Sequence, residues 1–133
     1  MKKIVASQLV PKAIGPYSQA VLFDSKYHME LSGQIGVNPK LGKLVEGGIE
    51  AEMEQVLANI TNVLGEVGWT LKNVVKVRVY LVDMKDYGVV NEIYAKHFTE
   101  QFPARVALAV KQLPAGALIE IECTAVGDEI TEK

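Results

Sequence analysis

Between Gly48 and Gly68, apolar residues stand at Ile49, Met53, Val56, Leu57, Ile60, Val63, Leu64 and Val67. This i, i+3, i+4, i+7 spacing lays one stripe of an α-helix against a core. A second helix is predicted from about Lys85 to Glu100, where Val90, Ile93, Tyr94 and Phe98 share a face and Asp83 or Asp86 can cap the start. Pro103 forces its end near Phe102. Between the helices Val75, Val77, Val79 and Leu81 alternate with Lys76, Arg78 and Tyr80, the period of a strand with one apolar and one mixed face. Two more strands are predicted, Arg105 to Val110 and Leu118 to Val126, joined as an antiparallel hairpin by a turn containing Pro114 and Gly116. Near the start, Ala20 to Phe23 and Tyr27 to Leu31 read as a hairpin around Asp24 and Ser25. Gly33, Gly36, Asn38-Pro39 and Gly42 then mark a loop-rich connection.

This order predicts an α+β fold, a single domain over residues 1–133 with both helices on one face of a mixed β-sheet. What covers the other face is then the question. On the last strand Ile119, Ile121, Cys123 and Ala125 point one way, toward the helices, while Glu120, Glu122 and Thr124 point the other. By the same logic Val106, Leu108 and Val110 face the helices, leaving Arg105, Ala107 and Ala109 with Glu120 on the open face. Val74, Tyr80 and Val82 beside Lys76 and Arg78 make that face neither a core surface nor a solvated one, which suggests subunit contact.

Composition narrows the function. At 133 residues with 49% hydrophobic and 23% charged positions, the chain can bury one core. A net charge of −2, with no Lys/Arg cluster, argues against nucleic acid as a partner. No apolar run is long enough for a membrane span, and Met1 to Ala6 leads into Ser7 and Gln8 instead of a signal core, so a soluble cytoplasmic protein is expected. Cys123 is the only cysteine, and with only His28 and His97 besides, a metal site of the usual kind is not expected.

Few side chains carry chemistry. Arg105 follows Phe102-Pro103-Ala104 where a strand begins, a place where a guanidinium can be held rigidly to grip a carboxylate. It can equally pair with Glu120 or Glu122 across the predicted hairpin, and spacing leaves both readings open. Glu120 can orient or deprotonate a water if partly buried, or be a solvated strand residue. Tyr17, in Ile14-Gly15-Pro16-Tyr17-Ser18, is either presented to a pocket by a fixed turn or merely packs on that turn. Ser32-Gly33-Gln34 can expose backbone N–H groups to an anion. Asn91 reads as solvent-facing on the second helix, and His97, Trp69 and Cys123 as packing or surface residues. Nucleophile elbow, phosphate loop and dinucleotide fingerprint are all lacking.

Four segments in order, Ala13-Ile14-Gly15-Pro16-Tyr17-Ser18-Gln19-Ala20, Ser32-Gly33-Gln34-Ile35, Phe102-Pro103-Ala104-Arg105 and Leu113-Pro114 through Ile119-Glu120-Ile121-Glu122, resemble the Rid family, specifically its RidA branch. Val90-Asn91-Glu92-Ile93-Tyr94 lies between them, and the likeness spans nearly the whole chain. The resemblance implies a chorismate-mutase-like fold in a homotrimer whose sheets form a central barrel, with three ligand sites in the clefts between subunits. It also implies hydrolysis of 2-iminobutanoate and 2-iminopropanoate, released by pyridoxal-phosphate dehydratases, to 2-oxo acids and ammonia, with neither cofactor nor metal. By matching position, Arg105 would hold the substrate carboxylate, and Glu120 and Tyr17 would position the water or move protons. Backbone groups at Gly33 and Ala107 would complete the pocket, with Ser32 beside them and Asn91 as a further candidate. Two departures stand out: Ala107 replaces a cysteine common in the family, and Gly36 replaces a proline, so a more mobile loop is expected there. Two other functions fit the same residues: a non-catalytic sensor that binds 2-oxo acids, and the endoribonuclease or translation-inhibitor activity attributed to some relatives. The lack of a His acid/base pair weighs against the latter.

Overall fold

The chain begins with a short antiparallel pair, β1 (Lys2–Val5) and β2 (Ala20–Phe23), in the computed structural model, which describes residues 1–132. There follow β3 (Tyr27–Gln34), a two-residue ladder between β4 (Val37–Asn38) and β5 (Lys43–Leu44), helix α1 (Gly48–Gly65) and β6 (Val74–Leu81). Helix α2 (Tyr87–His97), β7 (Ala104–Ala109) and β8 (Ile119–Gly127) complete it. The main sheet is mixed, in the order β3-β8-β6-β7, with β7 alone parallel to its neighbour. This is the α+β arrangement expected, two helices and a mixed sheet.

Helix α1 forms where its apolar stripe dictates: Met53, Val56, Leu57, Ile60 and Leu64 are buried between it and the sheet. Its end follows a glycine rule. Gly68, at φ 78°, turns the chain left-handed while its N–H returns to the Gly65 carbonyl (3.1 Å) and that of Trp69 to Leu64 (3.0 Å), a Schellman closure. Helix α2 ends earlier than expected, at His97, and is preceded by a 3₁₀ turn over Met84–Asp86. Of the two capping candidates, Asp83 accepts from the Lys85 N–H (2.9 Å), while Asp86 makes no side-chain cap. Val90, Ile93 and Tyr94 carry α2 into the core.

Four expectations about pairing and facing do not hold. The strand Ala20–Phe23 pairs with β1, and β3 pairs with β8, so there is no hairpin around Asp24. Nor do β7 and β8 form a hairpin, because β6 lies between them. The physical reason is the connection: β6 reaches β7 through α2, a crossover that leaves the two strands parallel, and the loop to β8 is long enough to pass over β6. The faces of β7 are consequently reversed. Arg105 and Ala107 lie level with Val77 and Val79, on the helix side, and Val106 and Leu108 emerge on the open face, 39% and 40% exposed. Finally, Val74 is buried in the core instead of open, because a register shift between Val74 and Lys76 sets it level with Ala125 on the helix side.

The open face is mixed, as the alternation predicts. Tyr80 donates to Glu122, Arg78 to the Thr124 hydroxyl (3.5 Å) and Thr124 to Glu30 (2.7 Å), with Val106 and Leu108 alongside. The hydrogen bond to Glu122 holds the Tyr80 phenol above its ordinary pKa. Gly36, in the loop after β3, is itself buried. A Cβ there would come within 2.9 Å of the Glu52 backbone, so the glycine lets β3 and α1 approach. Glu52, itself buried, accepts from the Leu118 N–H (2.8 Å) and ties α1 to the start of β8.

Candidate active site

Arg105 sits one residue into β7, on the side of the sheet that α2 covers. The segment bearing Tyr17 is fastened beside it. Ser18 bridges to Ala104, its N–H donates to the Pro103 carbonyl (3.0 Å), and its hydroxyl donates to the Phe102 carbonyl (2.5 Å). Residues far apart in the chain are thereby fixed side by side. Tyr17, Tyr87 and Tyr94 surround the guanidinium, with ring centroids 5.4, 5.7 and 4.9 Å from its central carbon. Each ring face attracts the cation by roughly 0.5–2 kcal/mol. Gly15 leaves room at the edge: a Cβ there would lie 3.7 Å from Nη2.

Among the described residues no carboxylate pairs with this charge. Arg105 Nη2 donates to the Tyr87 hydroxyl (3.1 Å), and Nη1 is buried without a partner. The one ion pair among the described residues, His97 with Glu54, is elsewhere. The pairing of Arg105 with Glu120 or Glu122 considered from spacing is therefore not what the fold builds. Two further buried polar atoms lack partners, Asn91 Oδ1 and the Tyr94 hydroxyl. Tyr87, Asn91 and Tyr94 stand at i, i+4 and i+7 on α2, one stripe of the helix. Asn91 thus faces inward, contrary to its reading as a solvent residue. Burial pushes the Tyr94 phenol well above its ordinary pKa against the pull of Arg105, so it stays neutral.

Glu120 is elsewhere in the chain's geometry. It lies opposite Tyr80 on the open face of β8, and its carboxylate rests on Gly33, where an added Cβ would stand 2.2 Å from Oε2. Ser32 and Gly33, both exposed, occupy the irregularity between Leu31 and Gln34 where β3 slips against β8, as a bulge presenting backbone groups does. The candidates therefore fall into two groups. Arg105, Tyr17, Asn91 and Ala107 are on the helix side of β7, and Glu120, Gly33 and Ser32 on the other side of β8. Two strand spacings, roughly 10 Å, and the thickness of the sheet part them. The shared open face expected for Arg105 and Glu120 is thus corrected by the parallel pairing of β7. No one small ligand reaches both groups within a single chain.

Two surface hollows lie away from Arg105. One lies between Lys2, Lys72, His97 and Phe98, and a larger one beside Ala6, Val10, Lys12 and Gln19. Sequence reasoning missed Tyr87; it placed Tyr94 on the core face, where it lies, without showing that the ring also flanks Arg105. The signal available was their helical spacing with Asn91. Among the described residues no cluster of three His, Cys, Asp or Glu side chains is placed to hold a metal, and no helix is long and apolar enough to cross a membrane.

The sequence profile of the endoribonuclease L-PSP family matches residues 7–127. A human protein named 2-iminobutanoate/2-iminopropanoate deaminase is 44% identical, covering 98% of this chain and 94% of its own. A RutC family protein of Pyrococcus horikoshii is 46% identical over 94% of this chain and 98% of its own. Among solved structures, the Rid family protein YyfA of Yersinia pestis superposes with a TM-score of 0.73 at 42% identity, covering 95% of this chain and 99% of that one. The chain belongs to the endoribonuclease L-PSP family, within its RidA branch.

Proposed function

We propose that this protein is a 2-iminobutanoate/2-iminopropanoate deaminase, a hydrolase that converts reactive imines to 2-oxo acids and ammonia. The observation that carries this reading is the unanswered Arg105: a caged guanidinium with Nη1 buried and unpartnered. An unmade hydrogen bond of a charged group costs about 1.5–3 kcal/mol, which a ligand carboxylate would recover. The relatives named for this activity support the reading. We place the 133 residues as one domain in a homotrimer, with the open sheet faces lining a central barrel. The split between the two groups of residues supports this. In such a trimer Arg105, Tyr17, Asn91 and Ala107 of one subunit meet Glu120, Gly33 and Ser32 of its neighbour.

The chemistry asks little of so sparse a site. Arg105 holds the carboxylate, and Glu120 takes a proton from a water as its oxygen adds to the imine carbon. The nitrogen, protonated through Glu120 or Tyr17, leaves as ammonia when the C–N bond breaks, and the added hydroxyl gives its remaining proton to Glu120 as C=O forms. An iminium carbon is already electrophilic, so orientation and proton transfer suffice and no cofactor is required. We place the enzyme in the cytoplasm, acting on imines released by pyridoxal-phosphate dehydratases.

The test couples threonine dehydratase to semicarbazide trapping. Sub-stoichiometric wild-type protein, and not Arg105→Ala, should divert 2-iminobutanoate to 2-oxobutanoate before it is trapped. No diversion by a folded trimer would overturn the deaminase reading.

A further inference from the structure

Tyr87 opens α2 and is half-buried, and its hydroxyl has one hydrogen bond among the described residues, accepted from Arg105 Nη2 (3.1 Å). A phenol that accepts still has its own proton to donate, and no side chain or carbonyl described here takes it. The ring is held over the guanidinium, and the 3₁₀ turn capped by Asp83 fixes the start of the helix that presents it. Arg105 therefore sets the direction of the Tyr87 hydroxyl, and the free O–H lies beside a cation that itself lacks an anion.

Resting on the deaminase reading for the identity of its ligand, we propose that Tyr87 is a second carboxylate-binding residue of this site. Nη1 of Arg105 takes one carboxylate oxygen and the Tyr87 O–H donates to the carboxylate from its side. Nη2 to Tyr87 forms the link that keeps both donors aimed together. The substrate class that follows is a small acid whose carboxylate adjoins the reacting C=N or C=O carbon. A carboxamide or ester in its place offers no charge to share between the two donors.

Tyr87→Phe tests this, because it keeps the ring over the guanidinium and removes the hydroxyl. The dissociation constant for 2-oxobutanoate, measured by titration calorimetry, should rise about tenfold or more. In the trapping assay the loss should fall on KM, with kcat reduced far less, while the thermal midpoint and oligomeric state stay at wild-type values. Unchanged affinity and KM would overturn the proposal. So would a loss carried by kcat, or one that follows a lowered thermal midpoint. Wild type that binds 2-oxobutanoate without turnover would sink the deaminase reading while leaving this comparison valid, and wild type that binds none would sink both.

Discussion

Gly33→Ala separates the placement of Glu120 from the stability of the fold. The added Cβ would stand 2.2 Å from Glu120 Oε2 and 2.8 Å from Cδ, whereas ordinary contact begins at 3.4 Å. The carboxylate oxygen must therefore retreat by more than about 1 Å. The atoms that must move are the far end of a flexible side chain, and the Gly33 backbone does not require a positive φ. Alanine there also trims the freedom of the unfolded chain, worth about 0.4–1 kcal/mol in favour of folding. The net change in stability should stay within about 1 kcal/mol. A misplacement of about 1 Å in a catalytic group costs on the order of 100-fold in rate. Urea unfolding should thus give nearly superimposable curves for the two proteins, while the semicarbazide partition shows turnover reduced about 100-fold. The same substitution in a Glu120→Ala background should cost nothing further, because the colliding carboxylate is gone. Wild-type turnover in Gly33→Ala, or a further loss of similar size when Gly33→Ala is added to Glu120→Ala, would refute the idea that Gly33 acts by seating Glu120.

Two further predictions concern the core. In Gly127→Ala the new Cβ would meet Trp69 Cζ2 at 2.7 Å, and the indole cannot slide away because its Nε1 donates to the Glu129 carbonyl (2.7 Å). A loss of about 1–3 kcal/mol is expected, seen as a lower urea midpoint at unchanged slope, and a variant as stable as wild type would contradict it. Burial pushes the Cys123 thiol from 9.0 up to about 12, so the folded protein keeps a proton that the unfolded chain releases. Its contribution to stability is complete below pH 9 and falls as pH rises toward 12, by up to about 1.4 kcal/mol per pH unit. Wild type should therefore lose stability more steeply than Cys123→Ala across that window, and parallel curves would show that the thiol is not protected.

The elements were more legible than their partners. The stripe of α1 and the alternation along β6 and β8 follow from burial, which a single sequence displays directly. Period-two alternation says which residues share a face but not which strand lies alongside. The helix between β6 and β7 did carry that information, since strands joined through a crossover helix run parallel. The run Arg105-Val106-Ala107-Leu108-Ala109 has apolar residues on both faces, so its orientation follows only from its pairing with β6. The surroundings of Arg105 were hidden for a related reason. Tyrosines spaced along α2 look the same in sequence whether they pack in a core or ring a cation, and only the β6-α2-β7 arrangement puts the guanidinium among them.

That β8 lies between β3 and β6 also has a consequence for how the chain is made. Synthesis delivers β8 last among the strands, so until Gly127 has been added β3 has no partner in the main sheet and β6 has only β7. Two unpaired edges, one of them the valine-rich β6, must wait side by side without zipping to each other or to a neighbouring nascent chain. Trimming residues 119–127 would not shorten this sheet from its margin but cut it into two unconnected pieces.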